Sequence, residues 1–402
     1  MVPERLDQPL HVLDFLVAPP ASGPNTLKSE FRLLCSGLFE GRGELEGSGG
    51  ARALLTNPFH LIVASEHWNR IDNVFPQELA LTFRLPLRSE RYDEFGPPQA
   101  EVAHDLAALL SLISRRLITV AGCVASEPEL EDRPEWMVVF PFPIATTLAK
   151  KHWPAQPSVA VLFPHKQPEL TEYIPQPSVF PSERAKALLT RLPHLPAKYV
   201  LVLAARLYSM SLGMVYQDPD IAYLLMTLSL ECVASHAIDE RAAAEEARKD
   251  DLPTSFADSG TAMGLSEDQV RTLFTLAHPR PGPTYKFRRF ARDFCTDEMW
   301  SKDNLFRVDG FPPHVYPTRD LLPKAVNSVY AQRSKFVHEG RPYPHSITLG
   351  LSPMSDYRAT RALFASELVL PAFPWIERLA QVTIVNYWEQ AVAAIDPTDH
   401  KK

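Results

Sequence analysis

The sequence predicts an α+β protein in which a mixed α/β N-terminal domain is followed by an all-α helical bundle. Three observations support this fold class. Short runs of β-branched and aromatic residues dominate the first ~150 residues, as they do in strands. Prolines then crowd residues 154–181. After Ser182 the apolar residues recur at the three-to-four spacing of amphipathic helices.

The N-terminal half contains five runs with the composition of strands, each bounded by proline, glycine or charged residues. These runs cover residues 11–19, 60–65, 79–87, 117–125 and 136–142. One helix is predicted among them, over residues 101–117, because Leu106, Leu109 and Leu110 fall on one face. We therefore predict a mixed α/β domain over residues 1–153, serving as a sensor or as a platform for a protein or ligand partner.

The middle of the chain predicts a linker. Seven prolines fall within residues 154–181. Proline has no backbone donor and favours extended chain, so this segment separates two domains. Residues 182–396 then form the predicted helical bundle.

Local signals set the helices of the bundle. Asp218 followed by Pro219 is typical of a helix start, and Ser266 with Gln269 forms a capping box. A polar stretch from 239 to 259 predicts a helix end running into a loop. We expect a kink in the last element at Pro371 and Pro374. The predicted helices cover residues 182–192, 197–214, 218–238, 266–278, 285–294, 320–339 and 358–392.

Composition narrows the function classes. The chain has 402 residues, 45% hydrophobic and 22% charged, with a net charge of −7. These values are ordinary for a globular protein and argue against a surface coated for nucleic-acid binding, although a local basic groove remains compatible with them. The N-terminus lacks the pattern of a signal peptide, and no stretch reaches the ~18 apolar residues of a membrane span. We therefore expect a cytoplasmic protein without a membrane partner.

Several common catalytic motifs are missing from the sequence. It has no GxxxxGK[ST] phosphate loop, no GxGxxG after a strand and no GxSxG elbow. The histidines at 338 and 345 are separated by Gly340 and two prolines, which prevents the single helical turn that a zinc-protease pair requires. We expect no metal and no cofactor.

The helix over residues 320–339 carries the candidate site. Asp320 is a candidate N-cap, Pro323 fits the first turn, and Gly340 with Pro342 ends the helix. Arg333 takes a place on its apolar stripe, and His338 follows near the stop. The stripe consists of Leu322, Val326, Val329, Arg333 and Val337. An arginine beside a helix-terminal histidine offers a fork for a phosphate and a titratable proton carrier.

The segment "YAQRSKFVHEG" resembles the Rx4-6H motif of the HEPN superfamily, with Arg333 and His338 as the motif pair. Two further features extend the resemblance over roughly residues 200–395. Glu231, in the apolar helix "YLLMTLSLECVAS", is similar to the acidic residue of the helix that precedes the motif helix. The basic-aromatic helix at 285–294 resembles an insert of the Apea-like branch.

The resemblance implies a helical bundle that dimerises through the C-terminal domain and acts as a metal-independent endoribonuclease, of the kind used as a toxin or in antiviral and anti-phage defence. In such a hydrolase the ribose 2′-OH is the nucleophile, so the enzyme supplies none of its own, and the product is a 2′,3′-cyclic phosphate. His338 suits the proton transfers, and Arg333 suits the negative charge on phosphorus. Ser334, where the family has a polar residue, Glu231 and Tyr330 are supporting residues. The predicted RNA-binding residues are Lys286, Arg288, Arg289, Arg292 and Lys335.

Each of these residues also has a structural interpretation. Arg333 can form a salt bridge with Glu231 that holds the bundle together. His338 can be a simple helix-terminus cation, Tyr330 a core residue, and the basic face around Arg288 a solvated surface. An enzyme is favoured, and the alternative is a non-catalytic module that binds RNA or a nucleotide or supports a protein interface.

Overall fold

The computed structural model describes a mainly helical chain. Among the described residues, no helix is both long enough and apolar enough to cross a membrane. The description covers residues 12–17, 26–35, 39–40, 53–55, 60–63, 77–86, 99–126, 178–215, 217–247, 254–277, 282–300, 317–344, 347 and 370–395.

The strands lie in two sheets. A five-stranded antiparallel sheet has the order β3-β4-β5-β1-β6, and β2 pairs with β7 in parallel. The strands are β1 (Thr26–Cys35), β2 (Phe39–Glu40), β3 (Ala53–Leu55), β4 (His60–Val63), β5 (Gln77–Pro86), β6 (Ile118–Ser126) and β7 (Ser178–Val179). The predicted strands at 60–65, 79–87 and 117–125 correspond to β4, β5 and β6, and the one predicted at 136–142 lies outside the described residues. Residues 11–19 were wrongly predicted as a strand, because Val12–Val17 is helical.

Eleven helices are found in the described part of the chain. They are α1 (Val12–Val17), α2 (Gln99–Ser114), α3 (Ser182–Arg191), α4 (Lys198–Met214), α5 (Pro219–Ala237), α6 (Glu240–Ala247), α7 (Thr254–Ala262), α8 (Glu267–Ala277), α9 (Pro283–Phe294), α10 (Leu322–Glu339) and α11 (Phe373–Ile395). Nine of them follow residue 181, so the described residues of the C-terminal half are mainly helical, as predicted.

Local capping explains several of these boundaries. Asp218 accepts a hydrogen bond from the amide of Ile221 at 3.0 Å, as predicted for an N-cap. Ser266 and Gln269 form the predicted capping box, in which each side chain bonds the other residue's backbone amide. The stretch from 239 to 259 was wrongly predicted as a loop, since α6 and the start of α7 lie within it.

The end of the chain differs from expectation in one respect. Helix α11 begins at Phe373, after a non-helical segment at 370–372, and places Pro374 in its first turn. The helical stretch predicted before it, up to residue 369, lies outside the described residues.

Helix α2 packs directly against the bundle. Asp105 of α2 accepts a hydrogen bond from Arg206 of α4 at 2.8 Å. Arg115, just after α2, binds Glu377 of α11 at 2.7 Å. The predicted linker lies outside the described residues except for 178–181, so the division into domains at 1–153 and 182–396 stays a prediction.

Candidate active site at the end of helix α10

Helix α10 begins and ends through different devices. Its N-cap residue is Leu321, the last residue of a 3-10 turn over Arg319–Leu321. Asp320 lies inside that turn, and the first turn of α10 has no side-chain cap, so the predicted Asp320 cap is wrong. At the other end Gly340 has φ +66°, a left-handed conformation that glycine adopts without strain.

The chain after α10 is fixed to the helix that precedes it. The amide of Gly340 donates to the carbonyl of Phe336 at 3.1 Å, and the amide of Arg341 donates to that of Lys335 at 3.3 Å. The side chain of Gln332 donates to the carbonyl of Pro342 at 2.9 Å. The two amide bonds satisfy carbonyls that the end of a helix leaves open. The Gln332 bond holds the segment after Gly340 against α10.

Arg333 and Glu231 join helices α10 and α5. Nη2 of Arg333 lies 2.9 Å from Oε2 of Glu231, and the two side chains are 18% and 16% exposed. The hydroxyl of Tyr330, one turn before Arg333, donates to Oε1 of the same carboxylate at 3.2 Å. The predicted pairing of Glu231 with Arg333 is therefore confirmed. The ion pair holds the Arg333 guanidinium between α10 and α5, where it remains partly exposed.

Some polar atoms of this cluster have no hydrogen bond. Oε2 of Glu231 and Nε of Arg333 are both buried and lack a hydrogen-bond partner. The 2.9 Å contact to Oε2 is thus an ion pair whose alignment is too oblique for a hydrogen bond. The pair holds the guanidinium in place without using all of its donors.

Tyr330 is a core residue with a polar end. Its ring packs against Phe287 of α9 at 5.6 Å between centroids, and the Arg333 guanidinium lies 5.7 Å from its ring centre. Burial and then the Glu231 charge raise the pKa of Tyr330, and Arg333 opposes them, with a net value of about 12. The phenol therefore stays protonated and donates to Glu231, which makes Tyr330 a support for the ion pair.

His338 is exposed in the last turn of α10, and Ser334 and Lys335 are half-buried on the turn between it and Arg333. The helix stays regular through Glu339, so His338 still has helical backbone geometry. Five residues correspond to about 140° of rotation. Arg333 and His338 therefore leave one helix on different sides. Val337, expected on the buried stripe, is 48% exposed.

The basic face of α9 carries more paired charge than its sequence suggests. Lys286 lies 2.8 Å from Glu240 of α6, and Glu246 of α6 binds both Arg288 and Arg292. Arg289 pairs with Asp293 on its own helix. Sequence reasoning missed both α6 carboxylates because it placed that stretch in a loop. Their spacing in "ERAAAEEA" was the available signal for a helix face.

Tyr343 is a further residue that the sequence reasoning missed. It lies in the segment after Gly340 and is only 5% exposed. Its ring packs 5.0 Å from Phe336 of α10 and 4.9 Å from Tyr223 of α5. Its buried hydroxyl has no hydrogen-bond partner. An aromatic residue soon after a helix-ending glycine commonly folds back onto the last turns, and this signal was present in the sequence.

The described residues at the end of α10 thus combine a positioned guanidinium, an exposed imidazole and a buried phenol. Comparison of the chain with protein-family models finds no match, and comparisons with curated proteins and with solved structures also return none.

Proposed function

We propose that the chain is a metal-independent endoribonuclease of HEPN type. The observation that carries the proposal is the position of Arg333, which Glu231 and Tyr330 hold at the end of α10 while its side chain keeps 18% of its surface exposed. The exposed His338 follows five residues later, in the spacing of the Rx4-6H motif. A fixed cation and a titratable group that reach the same phosphodiester are the minimum that RNA cleavage requires.

The proposed reaction is a transesterification. His338 takes the proton of a ribose 2′-OH, the 2′ oxygen attacks the adjacent phosphorus, and the bond from phosphorus to the 5′ oxygen breaks. The leaving oxygen receives a proton from His338, and the products are a 2′,3′-cyclic phosphate and a 5′-hydroxyl. Arg333 stabilises the extra negative charge on the phosphorane, because a guanidinium is permanently cationic and can donate two bonds at once. Ser334 adds a neutral hydrogen-bonding group next to Arg333.

The divergence of the two side chains on α10 supports a site shared between two chains. About 140° separates Arg333 from His338 around the helix axis. In a twofold dimer through the C-terminal domains, His338 of one chain faces Arg333 of the other. Mixing the inactive Arg333→Ala and His338→Ala variants then restores one intact site in each mixed dimer, or about a quarter of the parent activity.

The remaining parts of the proposal concern the cellular setting. The N-terminal segment forms a mixed α/β domain that serves as a sensor or as a platform for a protein or ligand partner. The ribonuclease acts in the cytoplasm as a toxin or in anti-phage defence. The half-buried Lys335 and the basic face of α9 contact the RNA backbone.

The test uses labelled tRNA and total RNA with purified protein in EDTA. We expect RNA fragments that end in 2′,3′-cyclic phosphate, detected by mass spectrometry, and no cleavage of DNA of the same sequence, since DNA lacks the 2′-OH. Cleavage of DNA, or cleavage only after a divalent metal is added, would overturn the proposal.

A second function is favoured by the charge pairing. Arg333 is partly neutralised by Glu231, and Arg288 and Arg292 are neutralised by Glu246. A non-catalytic module that binds RNA or a nucleotide, or that supports a protein interface, needs no free general base. In that case RNA is retained in a filter-binding assay without being cut, and His338→Ala leaves its retention unchanged.

A further inference from the structure

Four buried polar atoms without a hydrogen-bond partner lie on the described elements that form the candidate site. They are Nε of Arg333, Oε2 of Glu231, the hydroxyl of Tyr343 and Oδ1 of Asn327. Native proteins leave few buried polar groups unpaired, because each such group costs free energy on folding. Those of Arg333 and Tyr343 are donors, which a bound acceptor would satisfy.

Ring contacts place Tyr343 between the same two helices that the ion pair joins. Its ring packs against Tyr223 of α5 and against Phe336 of α10, which lies three residues after Arg333 on the same helix face. Glu231 lies on α5 and Arg333 on α10. The segment carrying Tyr343 is held there by Gln332, which donates to the carbonyl of Pro342.

The electrostatics agree with this placement. Burial raises the pKa of Tyr343 above the ordinary range of a phenol, while the positive charge of Arg333 lowers it and Asp220 raises it. The charge of Arg333 therefore acts on Tyr343, whose hydroxyl remains a protonated donor. Nε of Arg333 is a second donor. Glu231 is already held on its other oxygen by Tyr330 and orients the guanidinium through Nη2.

The Tyr343 hydroxyl and Nε of the Arg333 guanidinium are both donors without a partner, and such donors suit an oxyanion. We propose that Tyr343 and Arg333 form a phosphoryl subsite, in which a non-bridging phosphate oxygen accepts from the Tyr343 hydroxyl and from Nε of Arg333. This inference rests on the proposed function for its choice of a phosphodiester as the natural ligand. Tyr343 is then a substrate-binding residue, and Glu231 is a positioning residue that fixes the direction of the guanidinium.

The experiment measures anion binding apart from cleavage. Inorganic phosphate is titrated at low ionic strength by 31P NMR. An RNA oligonucleotide with 2′-O-methyl riboses, which cannot supply the nucleophile, is titrated by fluorescence anisotropy. Tyr343→Phe removes only the hydroxyl and keeps the ring contacts. We expect it to weaken the binding of both probes about tenfold, the usual loss for one hydrogen bond to a charged group.

Two control variants separate binding from folding. Tyr387 lies on α11, and its ring packs on Phe290 and Phe294. Tyr387→Phe removes its hydroxyl and should leave the binding of both probes unchanged. Tyr223→Phe removes a hydrogen bond to the carbonyl of Pro371 and should lower the melting temperature by about 2–4 °C. Tyr343→Phe should melt no lower than the parent, because its hydroxyl has no partner to lose.

The outcomes distinguish this inference from the proposed function. If Tyr343→Phe weakens phosphate binding but the parent does not cut RNA, the subsite is supported and the ribonuclease proposal is wrong. Equal binding by parent and Tyr343→Phe, no phosphate binding by the parent, or a lower melting temperature for Tyr343→Phe overturns the subsite. RNA cleavage in EDTA in any of these three cases leaves the ribonuclease standing.

Discussion

Two clusters of the same three residue types lie in different parts of the molecule. One joins Arg115, Glu377 and Tyr208, and the other joins Arg333, Glu231 and Tyr330. In both clusters the carboxylate accepts a hydrogen bond from a tyrosine hydroxyl and forms an ion pair with a guanidinium. They differ in how completely the carboxylate is used and in how deeply it is buried.

The Arg115 cluster is closed. Glu377 is fully buried and accepts from Nε of Arg115 at 3.1 Å, from Nη2 at 2.7 Å and from Tyr208 at 2.5 Å. Burial, then the Glu377 charge, raises the pKa of Tyr208 well above its ordinary value. Arg115 adopts φ +59°, unusual for a residue other than glycine. The ion pair holds this backbone conformation where α2 gives way to β6.

The Arg333 cluster is open. Both of its charged side chains keep some exposure, its tyrosine contact is longer at 3.2 Å, and two of its polar atoms lack hydrogen bonds. The attraction within a buried ion pair offsets the loss of hydration fully only when its remaining donors and acceptors are also satisfied. We therefore assign the closed cluster to folding and propose that the open one also binds a ligand. The predictions below test this division.

The largest expected effect is on the closed cluster. Glu377→Gln removes the charge with little change in volume and leaves Arg115 without its counter-ion, next to the buried Arg378. We expect a loss of about 3–5 kcal/mol in the free energy of unfolding, measured in urea. Glu231→Gln is the matched control and should cost about 1 kcal/mol. Equal losses for the two variants would contradict the division.

Arg333→Ala should have an intermediate effect on stability. It leaves Glu231 partly buried and supported only by Tyr330, for a loss of about 1–3 kcal/mol. RNA cleavage should fall at the same time by at least about a hundredfold, because the group that stabilises the phosphorane is gone. Ser334→Ala, at the next position, should leave the free energy of unfolding within about 0.5 kcal/mol of the parent value. Normal cleavage by a folded Arg333→Ala variant would assign the arginine to structure alone.

The smallest difference in the free energy of unfolding is expected between variants of the two tyrosines, Tyr208 and Tyr330. Tyr208→Phe removes a fully buried bond to a carboxylate and should cost about 1.5–3 kcal/mol. Tyr330→Phe removes a longer bond at a partly exposed carboxylate and should cost about 1 kcal/mol or less. Urea unfolding of both variants measures the gap. A Tyr330→Phe variant as unstable as Tyr208→Phe would show that the two clusters are equivalent.

The sequence predicted several features of the molecule that depend on neighbouring residues, although the cap at Asp320 and the loop at 239–259 were wrong. The caps at Asp218, Ser266 and Gly340 are local, and each lies where the pattern placed it. The pairing of Glu231 with Arg333 followed from one physical argument, that an acid in an apolar helix requires a partner.

Features that depend on distant residues were missed. Glu377 is also an acid in an apolar helix, but its partner Arg115 lies 262 residues away, and no local spacing identifies it. Val12–Val17 was predicted as a strand because a short apolar run does not distinguish the two states. Tyr343 required knowledge of how the chain folds back after Gly340.

The most direct test of the central claim is the rate of RNA cleavage in EDTA by His338→Ala. His338 lies exposed in the last turn of α10, so the variant should fold normally. His236, equally exposed in the last turn of α5, supplies the matched control. General acid–base groups contribute about 10²–10⁴-fold to rate. We predict that His338→Ala cuts RNA at least about a hundredfold more slowly than the parent, while His236→Ala cuts at the parent rate. A His338→Ala variant that cuts RNA like the parent would contradict the account.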